Sequence, residues 1–166
     1  MAALSAVARN RLHHGLRAGM AFAPAESAAD WAECYALLAE TKLRRGVQFK
    51  VSLGYLLNLR RIFGPRIAMH RLLCDGELAA ATLVYRVAPT WDCLVAWGDD
   101  VRLRGRNVMN LMAYHLVCEA LRRQVAILDL GIASVDGVPD DGLIRFKRSV
   151  GGITGLRSNF RLSVGR

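Results

Sequence analysis

Apolar residues before Pro65 recur every three or four positions, the spacing of an amphipathic helix. The pattern predicts three helices, over residues 7–17, 28–45 and 53–63, with a short strand over residues 20–23. Ser27 and Ser52 precede the second and third helices and are expected to be their N-caps. Gly64-Pro65 is expected to end the third helix.

After Pro65 the apolar positions favour strands. Residues 66–74 and 77–87 flank Asp75-Gly76 and predict a β-hairpin, followed by a strand over residues 91–98. The elements predicted next are a helix (107–123), a strand buried on both faces (125–131), a helix capped by Asp140 or Asp141, and a terminal strand (153–164). This order predicts a single α/β domain with a central sheet flanked by helices.

The composition is strongly basic, with 23 Lys and Arg against 14 Asp and Glu, and 20 of the 23 are arginine. A net charge of +9 favours nucleic acid, phosphorylated cofactors or anionic lipid as partners, although a solvated basic surface is an equal alternative. The uncharged helical stretch at 107–118 is shorter than the roughly 20 residues needed to span a bilayer, so no transmembrane segment is expected. The four cysteines lack CxxC spacing, which predicts reduced core thiols, no metal site and a reducing, cytoplasmic location.

Arg102, Arg104 and Arg106 surround Gly105 immediately before the helix predicted at Asn107. The first turn of a helix has unpaired N–H groups and a positive dipole end, so it attracts anions. Gly105 would let the backbone approach a ligand, Asn107 would cap the helix, and the arginines would surround one point with charged donors. The segment predicts a pyrophosphate site, or else an exposed basic loop.

The spacing Arg102-x-x-Gly105-x-Asn107 resembles the acyl-CoA pyrophosphate motif of the GNAT acyltransferase superfamily, Arg/Gln-x-x-Gly-x-Gly/Ala. Asn107 departs from the usual small residue. The order of elements is also similar to the GNAT fold over nearly the whole chain, which implies a GNAT-like mixed central sheet. The resemblance implies that acyl-CoA is the donor, held by Arg102, Arg104, Gly105, Arg106 and Asn107.

Three further stretches resemble the Fem-type peptidyltransferases and related FemAB-like acyltransferases: GLIRFKRSVGG at 142–152, LDLG at 128–131 and ARNRLHHGLRAG at 8–19. This resemblance implies that residues 1–19 form a linking helix and residues 20–166 the GNAT-like domain. A transit peptide is the alternative interpretation of the basic N-terminus. Family members usually carry two such domains, and this chain is similar to the second.

Lys147 and Asp129 are the predicted catalytic residues. The Fem resemblance implies that Lys147, in the Phe146-Lys147 pair, stabilises charge near the transferred acyl group; the alternative is an ordinary helix lysine. Asp129 lies in an apolar strand, where a carboxylate must be paired or perturbed. It would act as a base or position the amine, or serve as a structural acceptor for Arg145 or the helix-start amides.

The sequence has no G-x-S-x-G elbow, so direct attack by an amine on the donor is expected. The resemblance implies an N-acyltransferase that uses acyl-CoA or aminoacyl-tRNA, with a small amine or a cell-envelope (peptidoglycan) precursor as acceptor, and a homo-oligomer is possible. The alternatives are a degenerate, non-catalytic GNAT-like module that binds RNA or a protein partner, and a membrane-associated acyltransferase partner.

Overall fold

The computed structural model describes residues 6–17, 19–135, 137–157 and 162. The helices are α1 (Ala6–Arg17), α2 (Ala28–Leu43), α3 (Leu53–Phe63), α4 (Val108–Arg122) and α5 (Asp141–Ser149). The strands are β1 (Ala21–Pro24), β2 (Ile67–Cys74), β3 (Glu77–Ala88), β4 (Trp91–Asp99), β5 (Ile127–Asp129), β6 (Ser134–Val135) and β7 (Val138–Pro139). Two short 3-10 helices, Gly64–Arg66 and Val101–Arg106, complete the described structure.

Five strands form one mixed sheet in the order β1-β2-β3-β4-β5. Each of the first four pairs antiparallel with its neighbour, whereas β5 runs parallel to β4. Strands β6 and β7 form a separate small hairpin. The predicted mixed α/β domain is confirmed, as is the hairpin around Asp75-Gly76.

The sheet separates two apolar cores. The core on one side packs α2 and α3 against the sheet and includes Trp31, Leu38, Leu56, Met69 and Leu83. The core on the other side packs α1 and α4 against it and includes Leu12, Leu72, Leu111, Met112 and Leu116. Helices α2 and α4 therefore lie on opposite faces of the sheet.

The predicted helix starts have clear physical causes. The Ser27 hydroxyl accepts a hydrogen bond from the Asp30 N–H, and the Asp30 carboxylate accepts one from the Ser27 N–H, which is a complete capping box. Ser52 caps α3 through the Tyr55 N–H. Asp140, one of the two predicted alternatives, caps α5 through the Leu143 N–H.

Helix α2 lies unusually close to β4 at Gly98. A Cβ atom built on Gly98 would come within 2.4 Å of the Thr41 hydroxyl oxygen and 2.8 Å of the Thr41 Cβ. Only a residue without a side chain fits there, so this contact sets the distance between the helix and the strand.

Among the described residues, no helix is both long and apolar enough to cross a bilayer.

Two predicted strands differ from the structure in length or burial, as far as the described residues reach. The segment expected to be buried on both faces forms only β5, and Ile127 in it is 54% exposed because, in the described part of the chain, β5 has a neighbour only on its β4 side. Residues 153–157 of the predicted terminal strand are irregular and exposed, and residues 158–161 and 163–164 lie outside the described residues.

Two further predictions have mixed outcomes. All four cysteines are free thiols, but only Cys34 and Cys74 are buried, whereas Cys93 and Cys118 are partly exposed. Helix α1 exists and packs on α4, with Leu12 buried and Gly15 against Leu111. The division into a linking helix at residues 1–19 and a domain at residues 20–166 stays a prediction.

Candidate functional site

The strands β4 and β5 diverge, and the divergence opens a cleft in the sheet. They pair only from Trp91 opposite Ile127 to Cys93 opposite Asp129, although β4 continues to Asp99. Parallel strands end at the same edge of a sheet, so both chains leave the paired region toward the same side. Backbone groups on this edge of β4 beyond Cys93 therefore lack a strand partner in the described chain.

An irregularity in β4 marks the same point. Leu83 pairs with Ala96 and the next residue, Val84, pairs with Leu94, so Val95 is one extra residue on β4. Such a bulge bends the strand and increases its twist. Across the cleft, Gly131 has φ +78°, and a Cβ there would lie 2.5 Å from the Leu94 carbonyl oxygen. Gly131 thus allows the chain after β5 to pass close to β4 before turning away.

A small pocket of about 50 Å³ lies in this cleft on the α2 side of the sheet. It is lined by Thr41, Lys42 and Arg45, by residues 94–97 of β4, by residues 130–132, and by Leu143 and Lys147 of α5. A wider open groove of about 1210 Å³ lies beside β5, bordered by α4, α5 and residues 151–157. Lys147 lines both spaces, so its side chain stands where they meet.

Lys147 is buried, and its ammonium group is held by the backbone of the chain after β5. Its Nζ donates to the carbonyl oxygens of Gly131 and Ile132 at 2.7 and 2.8 Å. Burial lowers the pKa of Lys147 to about 8, while the nearby Asp129 carboxylate opposes that shift. A lysine placed in this way can present a positive charge to a group in the cleft and can also lose its proton near neutral pH.

Asp129 ends β5 next to this lysine. Its carboxylate accepts a hydrogen bond from the Gly131 N–H at 2.7 Å and forms an ion pair with Arg157. The predicted structural partners, Arg145 and the helix-start amides, are therefore wrong. The hydrogen bond from the Gly131 N–H to Asp129 fixes the turn after β5, and the Gly131 carbonyl in this turn accepts from Lys147. Asp129 therefore helps to hold Lys147 in position.

The sequence predicts that the three arginines of the 3-10 helix surround a single point, but in the structure they do not. Each binds a different carboxylate: Arg102 binds Asp100 at 2.6 Å, Arg104 binds Asp99 at 2.7 Å, and Arg106 binds Asp75 at 3.0 Å. Arg106 also donates to the Cys74 sulfur. Asp99 and Asp100 lie within five residues of their arginines, whereas Asp75 lies in the β2–β3 turn, 31 positions before Arg106. Each arginine therefore has its own acid, and the three guanidinium groups do not converge.

Asn107 begins α4, but not as the predicted side-chain cap. It adopts a left-handed conformation with φ 60°, and its side chain makes no capping hydrogen bond. Asparagine tolerates this conformation better than most residues, which explains its presence there. Gly105 has no heavy atom within 4 Å of a built Cβ, so open space lies above its backbone.

A buried polar cluster was missed by sequence reasoning. His70 and Asp92 are buried, and the Nδ1 of His70 and one Asp92 oxygen lack a hydrogen-bond partner in the described residues. Burial, and then the charge of Arg86, lowers the pKa of His70 to about 4. His70 stacks on Phe22, which also stacks on His115 at 4.9 Å between ring centroids. No motif marks this cluster, because its members come from elements that are far apart in the sequence.

The comparisons with known proteins concern the fold. The structure is similar to FemX with a TM-score of 0.75 and 10% identity, covering 90% of this chain and 54% of FemX. It is similar to the ribosomal-protein-S18-alanine N-acetyltransferase of Escherichia coli (TM-score 0.62, 19% identity, coverage 80% and 76%). A ribosomal-protein-alanine N-acetyltransferase of Brucella melitensis biovar Abortus 2308 gives a TM-score of 0.63 at 18% identity, with coverage of 89% and 99%.

At these identities the likenesses show a shared fold, and this chain spans about half the length of FemX. No curated protein matches the sequence. The sequence profile of the family described as "Acetyltransferase (GNAT) domain" matches residues 4–148. The chain therefore belongs to the GNAT acetyltransferase-domain family.

Proposed function

We propose that this chain is an N-acyltransferase of the FemAB-like group that transfers an acyl group from acyl-CoA to an amine. The observation that carries the proposal is the position of Lys147, a buried cation at the point where β4 and β5 diverge. The reacting acyl group would enter this cleft, and the lysine would meet the charge that develops on its oxygen. The FemAB-like assignment rests on the 128–131 and 142–152 stretches around that lysine.

The donor phosphates would bind at the start of α4, to Arg102, Arg104, Gly105, Arg106 and Asn107. The three guanidinium side chains are at least half exposed, and the first turn of α4 contains no acidic residue. On binding, a phosphate oxygen would replace a carboxylate as the partner of each arginine. The open space above Gly105 would let the backbone come close to the pyrophosphate.

The chemistry would be a direct displacement. The acceptor nitrogen attacks the thioester carbon, a C–N bond forms, the C–S bond breaks, and the thiolate of CoA leaves with a proton from the attacking amine or solvent. Lys147 would stabilise the negative charge on the carbonyl oxygen, and Asp129 would position the Gly131 carbonyl that holds the lysine. We extend the proposal to a cytoplasmic enzyme that acts on a small amine or a cell-envelope precursor.

The test is calorimetric titration with acetyl-CoA and longer acyl-CoAs, comparing the Arg106→Ala and Arg122→Ala variants. Arg122 is a matched control because it is also exposed and paired with one carboxylate, Glu119, but lies at the other end of α4. We expect micromolar binding that weakens by about tenfold or more in Arg106→Ala, as for loss of a charged hydrogen bond, and stays unchanged in Arg122→Ala.

Absence of binding to every acyl-CoA would reject this donor. Titration with aminoacyl-tRNA then separates the second donor from a non-catalytic, RNA-binding module, since only the first would release free tRNA in the presence of amines. Equal weakening in both variants would show that binding depends on net charge and not on the arginine segment.

A further inference from the structure

The chain uses lysine at only three positions, Lys42, Lys50 and Lys147, against 20 arginines. Two of these three line the same small pocket, although they are more than 100 residues apart in the sequence. Lys42 reaches it from the last turn of α2 and Lys147 from α5, and Arg45 lines the same pocket. We call this set of Lys42, Arg45 and Lys147 the lysine pocket.

Lys42 is partly buried, and among the described residues its ammonium group forms no hydrogen bond or ion pair, although its backbone carbonyl accepts from Arg45 and Val47. Burial, together with the charge of Arg45, lowers its pKa. A desolvated ammonium beside another cation is unfavourable unless something compensates it. An anion placed in the pocket would supply that compensation.

The acids near the pocket only partly balance its charge. Asp140 lies 3.7 Å from Arg45, and both side chains are almost half exposed, so the pair is screened by water. Asp129 is near Lys147 but already binds Arg157 and the Gly131 N–H. The Lys42 ammonium therefore remains available to a ligand. Lys147 keeps one N–H for it, since its other two donate to the carbonyl oxygens of Gly131 and Ile132.

We propose that the lysine pocket binds an anionic group, a carboxylate or a phosphate, carried by the acyl acceptor, and so selects an anionic amine as substrate. This inference rests on the proposed acyltransferase function. The side of the sheet argues for the acceptor: the pocket opens beside α2, whereas the proposed donor site belongs to α4 on the opposite face. Lys147 lies between the two, where acceptor nitrogen and thioester carbon would meet.

The choice of lysine over arginine fits this role. A pocket of about 50 Å³ has room for one small anionic group. An ammonium is a compact point charge with three rotatable donors, whereas a guanidinium is a planar fork that fills more space. All the other Lys and Arg residues of the chain except Lys50 are arginine. Lysine at positions 42 and 147 leaves more room in the pocket than arginine would and still supplies positive charge.

The first test uses protein labelled isotopically at lysine Cε, which gives one NMR signal for each of the three lysines. Sodium acetate, inorganic phosphate and CoA are titrated separately at constant ionic strength. We expect acetate or phosphate to shift the Lys42 and Lys147 signals saturably and to leave Lys50, which is exposed, unchanged. Which of the two anions saturates at lower concentration identifies the group as carboxylate or phosphate.

Equal, non-saturating shifts at all three lysines would overturn the proposal. A larger response of Lys42 to CoA alone than to the small anions would also overturn it, because the pocket would then belong to the donor. These outcomes do not depend on turnover. Failure of the proposed function appears separately, as the absence of acyl-CoA binding in calorimetry.

The second test compares acceptors that differ only in charge, an amino acid and its neutral amide, in Lys42→Gln and Lys50→Gln. The expected result is a preference for the amino acid that falls about tenfold in Lys42→Gln, the size of one charged hydrogen bond, and is retained in Lys50→Gln. An unchanged preference in Lys42→Gln would reject the role of this pocket.

Discussion

Two cationic regions of this molecule differ in how their charges are balanced. In the 3-10 helix before α4, every arginine is paired with its own carboxylate, so three positive and three negative charges nearly cancel. In the lysine pocket, the Lys42 ammonium has no partner among the described residues, and the Lys147 ammonium is held by neutral carbonyl oxygens.

The two regions should therefore bind anions in different ways. In the 3-10 helix a ligand must replace a carboxylate, whereas in the lysine pocket it would bind cationic groups that have no anionic partner of their own. An arginine paired with a carboxylate keeps its position and can exchange that carboxylate for a phosphate at modest net gain. An unpaired, partly buried ammonium gains more when an anion arrives, because its lost hydration is already a cost in the free protein. Changes in the two regions should therefore affect different steps.

The largest expected effect follows from replacing the buried cation. Lys147→Met should lower kcat by about 100-fold, as for loss of one oxyanion-stabilising donor, with acyl-CoA affinity nearly unchanged. Steady-state kinetics and calorimetry measure the two quantities, and Lys50→Met is the matched control. A variant with full kcat would show that Lys147 is structural.

Glycine substitutions test how strictly each region depends on its backbone. Gly131→Ala should lower the free energy of unfolding by about 3 kcal/mol, because a positive φ and a clash with the Leu94 carbonyl both oppose the new Cβ. Gly137→Ala, with φ +83° and free space, should cost only about 1 kcal/mol. Gly105→Ala should leave stability unchanged and affect only donor binding. Urea denaturation of the three variants measures the free energy of unfolding of each. An equal loss of stability at positions 131 and 137 would contradict the close contact between Gly131 and the Leu94 carbonyl.

The pH dependence should identify the protonation state in which Lys147 works. Burial lowers its pKa to about 8, so the side chain is charged below that pH and neutral above it. The rate should rise with pH as the acceptor amine loses its proton, level off above about 8 as Lys147 loses its charge, and fall once the amine is fully deprotonated. In Lys147→Arg, which stays charged, the falling limb should disappear from the kcat profile. A profile that keeps rising in the wild type would mean that neutral Lys147 acts as a base.

The smallest effect should come from releasing one paired arginine. Asp75→Asn removes the carboxylate that binds Arg106 and makes this position resemble the unpaired lysine pocket. Acyl-CoA affinity should then increase two- to fivefold, the range for an exposed ion pair, and the gain should shrink at high salt. Calorimetry at two salt concentrations measures it, and weaker binding would show that Asp75 orients Arg106 for the donor.

Much of the fold was predictable because the residues that begin its helices and form its hairpin turn act over only a few positions of sequence. Ser27, Ser52 and Asp140 mark helix starts through hydrogen bonds that span three residues, and Asp75-Gly76 marks a two-residue turn. The length and burial of the predicted strand at 125–131 depend on neighbours that a sequence window does not contain. Strand β5 is apolar because α4 and the sheet cover part of it, yet its outer edge is open in the described structure.

The identity of the candidate site residues stays a prediction, and their geometry could not be obtained from the sequence. The resemblance placed Lys147 and the arginine segment, but the pairing of each arginine required the positions of Asp99, Asp100 and Asp75. Lys42 was missed entirely. The signal that could have found it is compositional, since a lysine in a chain of arginines is unusual and two such lysines share one pocket.

The contact between Gly98 and Thr41 has a consequence for how this sequence can change over time. A side chain at position 98 would need the space now taken by the Thr41 hydroxyl, which also accepts a hydrogen bond from Arg44 at 2.9 Å. Arg44 in turn donates to the Asp99 carbonyl at 2.6 Å, so the helix and the strand are joined at the point where they touch. Positions 41 and 98 should therefore covary among homologous sequences, with alanine at 98 accompanied by glycine at 41, because any Cβ at 41 would lie 2.8 Å from the new one.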